Sequence, residues 1–153
     1  MEWTDPNAKA KVPLVNGRRD YDPDGPSIIL EQVQYGYLTS ARQLDAFVML
    51  RYRTGGTAYW YYGYIFTFKS GVPRLLGWFH TGSRADFGLY RLWVGHGDFS
   101  LDLFDPEKRE GDCCSDGFVR TTYAWENGKF KQAGLPEFGL VEQTSSTPLP
   151  DRR

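Results

Sequence analysis

The residues best placed to do chemistry lie early in the chain. Asp20-Tyr-Asp22-Pro-Asp24-Gly25, with Glu31 at the twelfth position, fits the calcium-loop pattern D-x-[DN]-x-[DN]-G-x5-E. Carboxylates at the first, third and fifth positions converge when a chain wraps around one ion. The glycine permits the sharp turn, a backbone carbonyl follows, and a bidentate acid closes the shell. The expected donors are therefore Asp20, Asp22, Asp24, the carbonyl of Pro26, and Glu31. An ion held there would pin the N-terminal segment to the first strand. No amphipathic helix precedes Asp20, and Pro26-Ser-Ile-Ile-Leu30 reads as strand, so this is not a helix-loop-helix hand. The competing reading is a metal-free Asp-Pro-Asp-Gly turn.

Other constellations are weaker. Asp105, Glu107, Glu110, Asp112 and Asp116 form a second acidic loop without regular ligand spacing, with Lys108 and Arg109 among them. His80 and His96 could join Cys113 and Cys114 at zinc, but the spacings of zinc motifs are missing. His80, Ser83 and Asp86 have the residue types of a hydrolase triad, without a G-x-S-x-G elbow. Phosphate loops and dinucleotide fingerprints are absent. Tyr59 and Tyr61 share one face of a strand and offer a surface for stacking on sugars or burying against a partner. Core packing on both faces is the alternative.

These residues must be carried by strands. Tyr59–Lys69 alternates with period two: Trp60, Tyr62, Tyr64, Phe66 and Phe68 fall on one face, Tyr59, Tyr61 and Ile65 on the other. Further strands are expected at 28–35, 46–53, 74–80, 89–94, 99–104, 118–125 and 129–132, with a short one at 12–15. Asn127-Gly128 is a strong hairpin signal, and Thr54-Gly-Gly-Thr57 supplies another tight turn. Residues 37–45 read as a weak helix or a loop. Turn signals recur about every 10–12 residues, which predicts an all-β antiparallel meander of about seven strands, rolled as a barrel or sandwich. Three stretches follow: 1–27, a loop-like segment with the calcium pattern; 28–134, the β domain; and 135–153, a polar C-terminal tail.

At 153 residues the chain fits one domain with a real core. Its aromatic share of 16% favours sheet, because flat rings pack well on a pleated surface. A net charge of −1, with arginines scattered, supplies no field for nucleic acid. No apolar run approaches the roughly 18 residues of a membrane helix. The N-terminus lacks a signal-peptide profile, which leaves a cytosolic protein or one whose leader has been removed. Adjacent Cys113 and Cys114 cannot staple distant elements together.

Residues 44–133 resemble an uncharacterised family of bacterial secreted or lipoprotein-type domains. The resemblance rests on Leu44-Asp-Ala-Phe-Val-Met-Leu50, Thr54-Gly-Gly-Thr57, Tyr64-Ile-Phe-Thr-Phe-Lys-Ser-Gly-Val-Pro-Arg-Leu-Leu76, Gly82-Ser-Arg-Ala-Asp86, Gly111-Asp-Cys-Cys114 and Arg120-Thr-Thr-Tyr-Ala-Trp125. It implies an exported, extracellular or periplasmic β domain with no assigned activity. Such relatives carry an acidic turn before the Asp-Ala-Phe-Val strand. Here Tyr35–Gln43 has no acid, so no calcium site carries over to that turn. The expected function is a non-enzymatic binding or structural module, calcium-stabilised at Asp20–Glu31, with a protein partner or a second copy of itself through strand edges. A glycan-binding module and a small hydrolase using residues 80–86 are the alternatives.

Overall fold

The computed structural model describes residues 2–4, 11–83, 86–110 and 114–141. They form antiparallel strands, with one 3-10 turn at Pro106–Lys108 and no α-helix among the described residues. Strands β1 (Glu2–Thr4) and β2 (Lys11–Pro13) pair with each other. Strands β3 (Arg18–Asp20), β4 (Ser27–Ser40), β5 (Gln43–Arg53), β6 (Tyr59–Lys69) and β7 (Val72–His80) follow one another across a first five-stranded sheet. Then come β8 (Leu89–Val94), β9 (Asp98–Phe104), a ribbon of β10 (Arg109–Glu110) and β11 (Cys114–Ser115), β12 (Gly117–Glu126), β13 (Lys129–Gln132) and β14 (Glu137–Leu140). The second sheet has the order β13-β12-β9-β8, with β14 on the same edge of β12 as β13. The expected all-β fold is present as two antiparallel sheets, one of them curled as a half-barrel; the first runs through consecutive strands, whereas in the second β9 pairs with β12 across the β10–β11 ribbon. Asn127 and Gly128 take φ of 51° and 83°, the two positive values that a two-residue hairpin turn requires.

The main core lies between the sheets. Phe47 and Met49 of β5, Tyr61 and Ile65 of β6, and Phe99 and Leu101 of β9 are buried there. The other face of the first sheet carries a second cluster, Ile28, Val48, Leu50 and Tyr64, with Val12 and Leu14 packed over it. Asp45 through Leu50 are consequently all buried, because β5 has apolar neighbours on both sides. The N-terminal stretch expected to be loop-like thus contributes β3 and an apolar cover. Strand β14 likewise reaches past residue 134, where a polar tail was expected.

Residues 37–45 are not a helix. Strand β4 runs to Ser40 and β5 begins at Gln43. The cause is Asp45, whose side chain is fully buried. Its Oδ2 accepts hydrogen bonds from Leu38 N (3.1 Å), Thr39 N (2.8 Å) and Thr39 Oγ1 (2.8 Å). The β4–β5 register slips between Gly36 and Ser40, and the carboxylate satisfies the amides that the slip releases. The irregular turn delivers Leu38 into the main core.

The two sides of the sandwich differ. Between β4 and β8 the edges are stitched: Gly97 N donates to Tyr37 O at 2.8 Å, and Gly36 lies so close that a Cβ there would sit 2.7 Å from Val94 Cγ1. Between β7 and β13 no backbone hydrogen bond joins the edges among the described residues.

Replacing Asp45 by Ala is expected to lower stability by about 3 kcal/mol, because two buried amides lose their acceptor. Urea denaturation checks this, and Asp45→Asn, which keeps one acceptor oxygen, should lose less.

Candidate functional site

The calcium pattern is not assembled into a cradle. Asp20 is part of β3, where it faces Ser27 across the ladder and accepts a 2.7 Å hydrogen bond from Arg18 Nε. That bond holds the Asp20 carboxyl below its ordinary value. Asp22 and Asp24 are exposed in the turn, and Tyr21 N donates to the Pro26 carbonyl at 3.0 Å. Glu31 is the extra residue of a bulge, since Leu30 faces Leu50 while Gln32 faces Met49. The bulge brings Glu31 into an ion pair with Arg51 of β5. No group of three or more acids, histidines or cysteines among the described residues is placed to hold a metal. Two of the four carboxylates are engaged by arginines, so the arrangement fits an Asp-Pro-Asp-Gly turn better than a calcium shell.

The remaining acid, histidine and serine candidates are dispersed. His80 lies on the outer face of the first sheet, its ring stacked between Tyr62 (5.9 Å) and Trp78 (6.1 Å). No hydrogen bond joins it to Ser83 or Asp86, whose recorded link is the backbone bond from Asp86 N to Ser83 O at 2.9 Å. The triad is therefore not formed. His96 stacks on Tyr37 in the β8–β9 turn, away from His80. Cys113 lies outside the described residues. In the second acidic loop Asp105 is buried and its Oδ1 accepts Glu107 N at 3.0 Å, which gives it a structural task.

Tyr59 and Tyr61 do not form a ligand surface. Tyr61 is 2% exposed and Tyr59 packs against the same intersheet core. Both faces of β6 are aromatic, and the second sheet covers the odd-numbered one. Burial pushes the Tyr61 hydroxyl above its ordinary value, with Tyr59 and Glu31 adding to the rise and Arg51 opposing it. The partly open rings are on the even-numbered face, where Tyr62, His80 and Trp78 stand stacked on one another.

A cleft opens where the sandwich is unstitched. It lies between residues 76–80 of β7, with Thr81 just beyond, and the β9, β12 and β13 strands, with a volume of about 370 Å³. Phe99, Leu101 and Leu103 line its sheet-two side, and Tyr123 and Phe130 lie beside them. Phe99 sits within 5.1 to 6.1 Å of the rings of Phe47, Phe79, Tyr123 and Phe130. Gly77 is the reason for the space. It faces Ile65 across the ladder on the inner side, and a Cβ there would meet nothing nearer than Phe130 at 3.8 Å. Two residues on, Phe79 lies over Gly63, where an added Cβ would overlap its ring at 2.3 Å. A bulge at Leu76 turns this end of β7 and marks where the cleft begins.

No protein-family model, curated protein or solved structure matches this chain.

The cleft is of the size that holds small ligands, roughly 300–1,000 Å³. Its lining includes Lys129 and His80 but no acid. Thr81 Oγ1, its one aliphatic hydroxyl, is engaged with Tyr61 N at 3.2 Å and Gly82 O at 3.0 Å. Most of the lining is aliphatic or aromatic, so the cleft offers chiefly apolar contact. Sequence patterning did not single out Gly77, Phe79, Phe99, Tyr123 and Phe130. A glycine inside an aromatic strand was the available signal, since it marks a close approach or a vacancy.

Calcium and chelator are expected to give the same thermal unfolding midpoint. A bound ion at a hundredfold excess over its Kd would add about 2.7 kcal/mol, a shift of several degrees that calorimetry would reveal. The Tyr61 shift sets a second expectation. Its contribution is complete below the free phenol value of about 10 and declines above it, because the unfolded chain then loses its proton first. Midpoints measured across alkaline pH should fall less steeply for Tyr61→Phe, by up to about 1.4 kcal/mol per pH unit.

Proposed function

We propose that this domain is a non-enzymatic binding module and that the cleft between β7 and the β12–β13 hairpin is its ligand seat. The observation that carries this reading is the vacancy at Gly77. A strand interior that elsewhere packs rings against rings leaves about 370 Å³ unfilled at the one unstitched side of the sandwich. The cleft is open to solvent on one side, and an apolar group seated in it would gain dispersion contacts with its ring-rich lining. The resemblance to exported domains supports a setting outside the cytoplasm, with a protein or peptide as the partner class.

A sugar-stacking platform has less support. Tyr62 and His80 are inclined at 29° and His80 and Trp78 at 24°, so the rings occupy one another's faces. Carbohydrate recognition needs those faces free.

The test is fluorescence titration with N-phenyl-1-naphthylamine, an uncharged apolar probe. Saturable, blue-shifted binding is expected to the native protein. Gly77→Val places a β-branched side chain in the vacancy without a positive-φ penalty and should weaken that binding at least about tenfold, or 1.4 kcal/mol. Its thermal midpoint should stay within a few degrees of the native one. Probe binding that Gly77→Val leaves unchanged would overturn the assignment.

A further inference from the structure

Resting on the cleft assignment, we infer that the ligand is an extended, acidic peptide that adds to the free edge of β7 as a sixth strand of the first sheet. The backbone supplies the first argument. Thr81 N donates to Tyr61 O at 2.9 Å, in register with the Tyr62–His80 and Gly63–Phe79 pairs. Amides alternate sides along a strand, so the N–H and C=O groups of Trp78 and His80 point away from β6. Among the described residues no strand pairs with that edge.

These unpaired groups border the cleft itself. A strand added here would extend the first sheet sideways, and every second side chain would turn inward between the sheets. That direction leads to the vacancy at Gly77, beside Phe130 and Tyr123. Main-chain bonds then give affinity and the apolar cleft selects alternate side chains, which is the logic of strand addition. The other end of β7 is guarded: Pro73 has no N–H to offer and Arg74 is exposed beside it. The stretch from Gly77 to Thr81 carries no such guard.

Charge selects the peptide. Among the lining residues Lys129 is a cation and none is an acid. Glu126, opposite Lys129 in the hairpin, is paired with Lys131 at 3.4 Å. Among the described residues the hairpin rim is thus left with one uncompensated positive charge, which favours acidic residues at the positions that face solvent.

The experiment uses the full chain and a capped octapeptide of alternating valine and glutamate, with the valine–lysine counterpart as control, in calorimetric titration. The glutamate peptide should bind at least about tenfold more tightly at low salt, and added salt should narrow the difference. Two N-methylated versions, one blocked on the valines and one on the glutamates, distinguish strand addition from simple burial. One set of amides faces β7 and the other faces water, so one version should lose binding and the other keep it. His80→Pro removes an outward N–H that β6 does not use, and should lose the peptide. Equal binding of both N-methylated peptides would overturn the inference, as would naphthylamine binding without peptide binding, which would leave the cleft reading intact. A dimer in sedimentation that His80→Pro dissolves, with no peptide bound, would overturn it in favour of a second copy on the same edge.

Discussion

The fold turns on the ring of Phe99. It meets Phe47 from β5, Phe79 from β7, Tyr123 from β12 and Phe130 from β13, and so joins four strands of two sheets at one side chain. Each such pair contributes roughly 0.5–1.5 kcal/mol beyond area burial. The pairs also fix geometry, because tilted and stacked rings tolerate little sliding. The open cleft is a consequence. The rings hold the sheets apart at the width of an aromatic layer, and where Gly77 offers no side chain that width remains empty.

Charge is managed by the same economy of placement. Asp102, fully buried on β9, accepts two hydrogen bonds from Arg120, Nε at 2.7 Å and Nη2 at 2.8 Å. Arg120 and Asp102 are direct cross-strand partners, and the guanidinium lies near the rings of Trp93 and Phe118. A buried carboxylate needs donors to offset its lost hydration, and the bidentate fork also fixes the β9–β12 register. The hydrogen bond from Arg120 to Asp102 raises the guanidinium above its ordinary value. Asp45 does the corresponding work in the first sheet with two backbone amides and the Thr39 hydroxyl as donors.

Much of this was legible in the chain, and the failures have physical causes. The all-β class followed from alternation and turn chemistry, and Asn127-Gly128 turned where its positive φ allowed. Alternation in Tyr59–Lys69 gave the strand but not its inner face, because both faces are aromatic and only the second sheet decides. The stretch 37–45 read as a weak helix or a loop because the hydrogen bonds by which Asp45 holds it extended, to residues six and seven positions back, leave no mark in a hydrophobic pattern. The calcium pattern satisfied a spacing rule that holds only if the chain stays in a loop. Here Asp20 and Ser27–Glu31 are committed to paired strands, and a bulge aims Glu31 at Arg51. Bulges at Glu31 and Leu76 shift register by one residue, which no period-two pattern foretells.

The division of the chain between the sheets bears on its synthesis. Residues 18–80 complete the first sheet, and residues 89–140 make the second. On the ribosome the first sheet can therefore pair in full while its inner surface, with Phe47, Met49, Tyr61 and Ile65, still has no cover. Its outer surface already has Val12 and Leu14 at hand, since these residues precede the sheet in the chain. The nascent half-protein is closed on one side and adhesive on the other until Phe99 arrives. Chaperone capture would accordingly belong to that interval, and the aromatic layer that defines the finished fold is also its main hazard while unfinished.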